Sequence, residues 1–206
     1  MGKVKVLLFV ALCSLPALVV GAGFDWVRTI NDNEMLRGEF EQKRYVKALS
    51  RPLAISGTFL AAPEKGLRWT TLQPIESYQI LGADGSIYDG DLGQSLDVNV
   101  TVVTSVLMDM VVGDIERLRQ VFSVIVEHDE SSTDTPAAVI LTPLDDSMKT
   151  FVRSVELSWT ADRQFVERVI MVDGNGNRTE VVFSDLRFAT ASSEQLGQWF
   201  PETPRD

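Results

Sequence analysis

The most constraining feature of this chain is a two-residue rhythm that recurs along most of its length. Leu53, Ile55, Gly57, Phe59 and Ala61 alternate with Ala54, Ser56, Thr58 and Leu60. Leu96, Val98 and Val100 alternate with Asp97, Asn99 and Thr101, and Val155, Leu157 and Trp159 with Ser154, Glu156 and Ser158. Successive side chains on a strand point to opposite faces, so this pattern predicts sheet with one face packed and the other wet. Asp84-Gly85 and Asp173-Gly174-Asn175-Gly176-Asn177 supply residues that take positive φ at low cost, and they predict hairpins. The rhythm predicts about ten to eleven strands, near residues 38–48, 53–61, 66–71, 75–81, 85–89, 94–101, 121–127, 137–142, 151–159, 164–172 and 178–188.

Helical spacing interrupts the rhythm in two places. From Gly23 to Leu36, Phe24, Val27, Ile30 and Met35 fall roughly on one helical face, with Asp25 near the start and Gly38 as the stop. Val106, Leu107, Met110 and Val111 do the same within 103–112, ended by Gly113. Asp114 can cap a second short helix through Gln120 that buries Ile115 and Leu118. Residues 128–136 read as a polar loop and 201–206 as a loose tail. An antiparallel sheet of this size must curl, close or split into layers. The expected fold is α+β: a curved, incomplete antiparallel β-barrel capped by short helices around an apolar cavity. An outer-membrane barrel does not fit, because its strands are longer and carry aromatic girdles.

The start of the chain has the anatomy of an export signal. Lys3 and Lys5 precede an apolar run from Val6 to Val20, broken mainly by Ser14 and Pro16, and Val20-Gly21-Ala22 offers small residues for cleavage after Ala22. The run is shorter than the ~20 residues that span a bilayer. Residues 1–22 are therefore expected to be a signal peptide and 23–206 a single domain. Cys13 lies inside the apolar run, so the secreted part has no Cys. An exported, Cys-free protein suits a bacterial periplasm.

The composition removes several function classes. With 19 basic and 29 acidic residues the 206-residue chain carries a net charge of −10, the wrong sign for holding a phosphate backbone, so no nucleic-acid partner is expected. One Cys and one His exclude a multi-thiolate zinc site, and no metal or cofactor is expected. No G-x-S-x-G, H-E-x-x-H or Cys–His set is present, which disfavours an enzyme. The run from Asp173 begins like a calcium loop, but Arg178 stands where such a loop needs Gly, so a hairpin is the better reading. His128, Asp145 and Asp146 read as solvated loop residues. The sequons at Asn99 and Asn177 matter only in a eukaryotic secretory path. Arg37, Lys43, Arg44, Lys47 and Arg51 form a basic cluster that either meets anionic headgroups or an acidic partner, or solvates a strand edge.

Four stretches in fixed order resemble the LolA-like outer-membrane lipoprotein carriers. They are Phe40-Glu41-Gln42; Gly57-Thr58-Phe59-Leu60 followed by Pro63-Glu64-Lys65-Gly66-Leu67-Arg68-Trp69; Asp84-Gly85-Ser86-Ile87-Tyr88-Asp89; and Leu141-Thr142-Pro143 before Phe151. The resemblance implies an open half-barrel closed by helices that carries acylated lipoproteins or related lipids across the periplasm. It implies an inner-membrane exporter as donor, an outer-membrane acceptor, and a carrier expected to be a monomer. It also implies that Trp69 sits on the concave sheet near a lid. Family members place a basic residue just before the turn Pro, where this chain has Ala62, and the segment from Pro63 to Trp69 is one residue longer. These departures point to a divergent branch whose cargo can be another acylated lipid or a polyene-type product. The alternative is a periplasmic sensor or interaction module of the same fold that regulates a membrane partner.

Candidate cavity residues follow from the alternation and from the mid-chain helix. The strands offer Phe59, Leu67, Trp69, Tyr88, Val155, Leu157 and Trp159. The helix offers Met108 and Met110, whose flexible thioethers adapt to varied ligands, with Val106, Leu107 and Val111. For each of them the competing reading is plain core packing.

Overall fold

The computed structural model describes residues 34–63, 65–83, 87–89, 106, 108–109, 115–128, 136–160, 162 and 165–200. Ten strands form one wholly antiparallel sheet. They are β1 (Glu34–Tyr45), β2 (Leu53–Ala62), β3 (Gly66–Gln73), β4 (Ser77–Gly82), β5 (Ile87–Asp89), β6 (Phe122–His128), β7 (Pro136–Pro143), β8 (Val152–Trp159), β9 (Val166–Asp173) and β10 (Arg178–Thr190). Among the described residues three short helices can be bounded: α1 (Ile115–Val121), α2 (Asp146–Lys149) and α3 (Ser193–Trp199). The spatial order is β5-β4-β3-β2-β1-β10-β9-β8-β7-β6. The chain thus makes two five-strand meanders, joined where the first strand pairs with the last. Laid flat, ten strands would span roughly 43 Å at the usual spacing. Instead, side chains from β3 at one side and β6 at the other belong to a single buried cluster, so the sheet is an open, curled one.

The strands form where the two-residue rhythm runs, with bounds shifted by a few residues. The expected N-terminal helix is corrected at its end: Met35 and Leu36 are buried residues of β1, and Gly38 lies within that strand. The rest of that segment, the strand expected at 94–101 and residues 129–135 of the polar loop expected at 128–136 fall outside the described residues, while the loop's ends, His128 and Pro136, belong to β6 and β7. The mid-chain helix is represented by Val106, Met108 and Asp109, which are helical, and α1 follows as the second short helix. The patterns did not predict α2 or α3. Asp145 caps α2, accepting from the backbone N–H groups of Ser147 and Met148 and from the Ser147 hydroxyl. Ser192 and Gln195 form a reciprocal capping box that starts α3.

A β-bulge sets which residues face inward at the central seam. Arg37 pairs with Arg187 and Glu39 with Ser184, so β10 gains one residue there. Asp185 absorbs it at φ 51°, in the left-handed region that Asp tolerates better than most residues. Phe183 and Leu186, three apart, would otherwise face opposite sides, yet both pack on the inner cluster. Gly57 marks a second irregularity, where β2 meets β3. A Cβ there would lie 1.9 Å from the Thr70 carbonyl oxygen, so the backbones approach too closely for any side chain.

The inner face carries the main core: Phe40, Phe59, Leu67, Trp69, Leu141, Val155, Leu157, Met171 and Phe183, among others. A smaller cluster lies on the outer face under α3, where Leu196, Trp199 and Phe200 cover Met35, Leu60, Ala62, Tyr78, Ile80 and Tyr88. Arg68 fastens this cover. It donates from Nη1 to the Trp199 carbonyl at 2.8 Å, and its guanidinium lies 4.2 Å from the Tyr78 ring centre.

Candidate functional site

The inner face is built from inward positions of eight strands, from β3 through the central pair to β6. In β2 and β3, Phe59 pairs with Trp69 and Ala61 with Leu67. In β7, β8 and β9, Val139 pairs with Leu157, which pairs with Val169. Four aromatics meet at the centre of one half. Trp69 stacks on Phe40 with ring centres 3.8 Å apart, and Phe183 stands edge-on to both Phe59 and Trp69. Aromatic contacts of this kind add to plain area burial. The segment that links β5 to β6 crosses between the two outermost strands. Its described residues Val106 and Met108, with Leu118 of α1, are buried in the same cluster. These three residues pack against the inner face of the sheet.

Phe59, Leu67, Trp69, Val155 and Leu157 are all buried on this face, joined by Val106 and Met108 from the crossover. Trp159 is half-buried against them. They touch one another as a packed core. Leu107, Met110 and Val111 lie outside the described residues. Tyr88 requires a correction of placement: it pairs with Ile80, packs in the outer cluster and contacts the Tyr78 ring. Alternation specifies a face only relative to its neighbours, and a one-residue difference in parity moves a side chain to the other side.

Sequence reasoning missed Phe40, Met171 and Phe183, which complete the inner face. Val169, Met171 and Asp173 lie on inward positions of β9, and Val181 and Phe183 on those of β10. Their alternation was readable, but which strands they sit beside was not.

One polar atom on the inner face stands out. Trp69 is 3% exposed, and its buried indole N–H finds no acceptor among the described residues. Buried donors almost always find a partner, so such an atom invites explanation. The structure also explains Ala62, which stands where the resembled family has a basic residue. It is buried in the apolar outer cluster beside Phe200 and Met35, where a cation would be costly.

The outer face holds a groove of about 420 Å³, lined by Arg37, Glu39, Thr58, Leu60, Arg68, Thr70, Asp185, Arg187 and Trp199. Arg37 and Arg187 stand directly opposite each other across the central seam. Like charges in that relation repel, and Asp185 relieves this only weakly, 3.9 Å from Arg187.

The hairpin expected from Asp173 to Asn177 is present as a turn. Burial disfavours the charged Asp173 carboxylate, but hydrogen bonds from the Asn177 side chain and backbone and from the Asn175 backbone, with nearby Arg44, outweigh it and hold the pKa below its usual value. Asp145 is also held low, mainly by the Ser147 hydroxyl and backbone. Both carboxylates are occupied by capping a turn or a helix.

Among solved structures, the chain resembles MucB in the Pseudomonas aeruginosa MucA/MucB complex, at 14% identity, with a TM-score of 0.43, over 80% of this chain and 56% of that one. The chain thus spans little more than half the length of the MucB chains it matches. It also resembles a LolA superfamily protein from Nitrosomonas europaea, at 13% identity and a TM-score of 0.37, over 82% of this chain and 91% of that one. A third similar structure is an outer membrane lipoprotein-sorting protein domain from Vibrio parahaemolyticus, at 11% identity and a TM-score of 0.37, covering 82% and 92%. No curated protein sequence matches the chain. The family model for the outer membrane lipoprotein carrier protein LolA matches residues 31–196. By that match, over most of its length, the chain belongs to the LolA family.

Proposed function

We propose that this protein is a periplasmic carrier that takes up the acyl chains of a lipoprotein or another lipid between its inner sheet face and the crossover segment. Residues 1–22 direct export and are removed after Ala22. An inner-membrane exporter supplies the cargo and an outer-membrane acceptor receives it. The observation that carries this reading is the build of the inner face. Its apolar surface runs across the sheet from Leu67 and Trp69 to Val139, and Val106, Met108 and Leu118, which pack on it, come from the connection between β5 and β6. Moving that connection would bare the part of the face that these three residues cover. Phe59, Leu67, Trp69, Val155, Leu157 and Trp159 would line the sheet side, and Val106, Leu107, Met108, Met110 and Val111 the cover. Membership of the LolA family supports the same reading.

The energetics suit carriage rather than storage. Burying a methylene contributes about 0.8 kcal/mol, so a chain of about sixteen carbons supplies on the order of 12 kcal/mol gross. Opening a packed face and ordering the chain offset much of this. The remainder permits binding that a stronger acceptor can reverse without a nucleotide. No reactive group is required, consistent with a secreted part that has a single His and no Cys.

Native mass spectrometry of protein purified from the periplasm tests this directly. Co-purified acylated lipid is expected, and a fluorescent fatty-acyl probe should compete for the same site. A clean apo spectrum together with no probe binding would sink the proposal. A second reading, an interaction module that regulates a membrane partner, draws on the outer groove, whose facing Arg37 and Arg187 suit an acidic segment. Periplasmic cross-linking that captures one membrane protein through Arg37, with no lipid bound, would favour it.

A further inference from the structure

The exposed apolar side chains are not scattered. Among the described residues nine large ones are exposed, and all but Ile125 lie at one end of the sheet. The registers establish this. Arg44 pairs with Leu53, Thr71 with Ser77, Tyr45 with Arg178, and Val152 with Asp173. The tips β1–β2, β3–β4, β7–β8 and β9–β10 therefore stand side by side along one rim. Three of them present bulky apolar groups outward: Leu49 and Leu53, Ile75 at 76% exposure, and Leu144 and Phe151 at 55% each. A soluble surface tolerates single exposed apolar residues, but their concentration at one end marks an interaction surface.

The charge of one of these tips, between β1 and β2, departs from that of the chain. Residues 43–53 carry four cations and no carboxylate, in a protein whose net charge is −10. Lys43, Lys47 and Arg51 are interleaved with Tyr45, Leu49 and Leu53. Two carboxylates face this stretch, Asp173 at 3.9 Å from Arg44 and Glu41 at 4.0 Å from the half-exposed Lys43; at another tip Lys149 pairs with Asp146. Lys47 also ties two tips together, donating from Nζ to the Asn175 carbonyl at 2.6 Å and from its backbone N–H to Asn177 Oδ1 at 3.2 Å. The rim is thus braced. Its apolar groups project from separate tips, and the groove of about 280 Å³ that adjoins them among the described residues is lined by Lys43, Ile55 and Pro74 rather than by the projecting side chains. Long basic side chains beside projecting leucines match the boundary of an anionic bilayer, where apolar groups enter the acyl edge and cations stay with the headgroups.

We infer that this rim docks the protein on an anionic lipid surface, with Leu49 and Ile75 entering the interface and Lys43 and Arg51 meeting headgroup phosphates. The inference does not depend on what the inner face carries. It is tested by flotation of the purified protein with vesicles of phosphatidylethanolamine and phosphatidylglycerol, against phosphatidylcholine vesicles. Binding is expected only to the anionic vesicles and should weaken with added salt. Ile75→Ser and Leu49→Ser should each weaken it roughly tenfold, and Arg51→Glu at least about fivefold. Lys65→Ser, in the β2–β3 turn at the opposite end, should leave it unchanged. All four positions are exposed, and unaltered circular dichroism and melting would show that folding is intact. Absence of binding to anionic vesicles would overturn the inference. So would equal binding to the neutral vesicles, binding insensitive to Arg51→Glu and Ile75→Ser, or an equal loss in Lys65→Ser. Capture of a membrane protein through the rim without vesicle binding would replace the lipid surface by a protein partner.

Discussion

Replacing Trp69 by Phe should be close to neutral for stability, although the residue is 3% exposed at the centre of the inner face. Two losses are expected. The smaller ring leaves a void of roughly 40 Å³, which costs about 1 kcal/mol when neighbours relax only in part. It also removes apolar contact worth on the order of 1 kcal/mol. Against these stands one gain. The indole N–H is buried with no acceptor among the described residues, and a buried unsatisfied donor costs about 1–3 kcal/mol. Phe removes that donor and keeps a ring on Phe40, with Phe59 and Phe183 still around it. The terms cancel to within about 1 kcal/mol. Urea unfolding followed by far-ultraviolet circular dichroism measures the difference as a shift in midpoint at constant slope. Leu157→Ala, at a fully buried position on the same face, calibrates the assay and should lose about 2–5 kcal/mol. A loss in Trp69→Phe near that of Leu157→Ala, with unchanged slope, would refute the reasoning, because it would mean that the indole N–H is satisfied in solution.

Other outcomes follow from single residues. Gly57→Ala should destabilise far more than an ordinary Gly→Ala change, by about 3 kcal/mol or more, because its Cβ would lie 1.9 Å from the Thr70 carbonyl oxygen; thermal unfolding would show it, and a near-native melting temperature would mean that β2 and β3 can separate there. The pKa of Asp173 is held below the ordinary 3.8. Its ionised form therefore stabilises the fold above that value, and the contribution is lost as pH falls from there through the lower folded value. Asp173→Asn should unfold more easily at neutral pH yet show a shallower loss of stability below pH 3.8, measured by urea midpoints across the acid range. An unchanged acid limb would argue that other carboxylates dominate it.

Much of the fold was legible because its signals are local. Alternation at residues 53–61 and 155–159 marks strands β2 and β8, and the Asp173–Asn177 turn formers mark the hairpin between β9 and β10. The short helix after residue 114 also follows from a local face. What failed locally is instructive. Helical spacing suggested that Met35 and Leu36 end a helix, but Met35 pairs with Ala189 of β10 and Leu36 with both β10 and β2, and tertiary pairing overrides a weak periodicity. The Ser192–Gln195 capping box was a readable signal for α3 that the two-residue rhythm obscured.

The candidate site divides in the same way. Period and residue type identified Phe59, Leu67, Trp69, Val155 and Leu157 as one kind of residue, half of an apolar face. They could not say that these positions belong to one common face, because β1 and β10 meet across nearly the whole chain. Nor could they place Tyr88, whose side depends on the β4–β5 register. The sequence by itself determined where strands and turns occur, since steric preference and side-chain alternation act over a few residues. Only the tertiary structure decided which strands adjoin, how the Asp185 bulge aligns Phe183 with Leu186, and that the hairpin tips gather their exposed leucines at one end. These depend on hydrogen-bond register between distant segments, and register has no local signature.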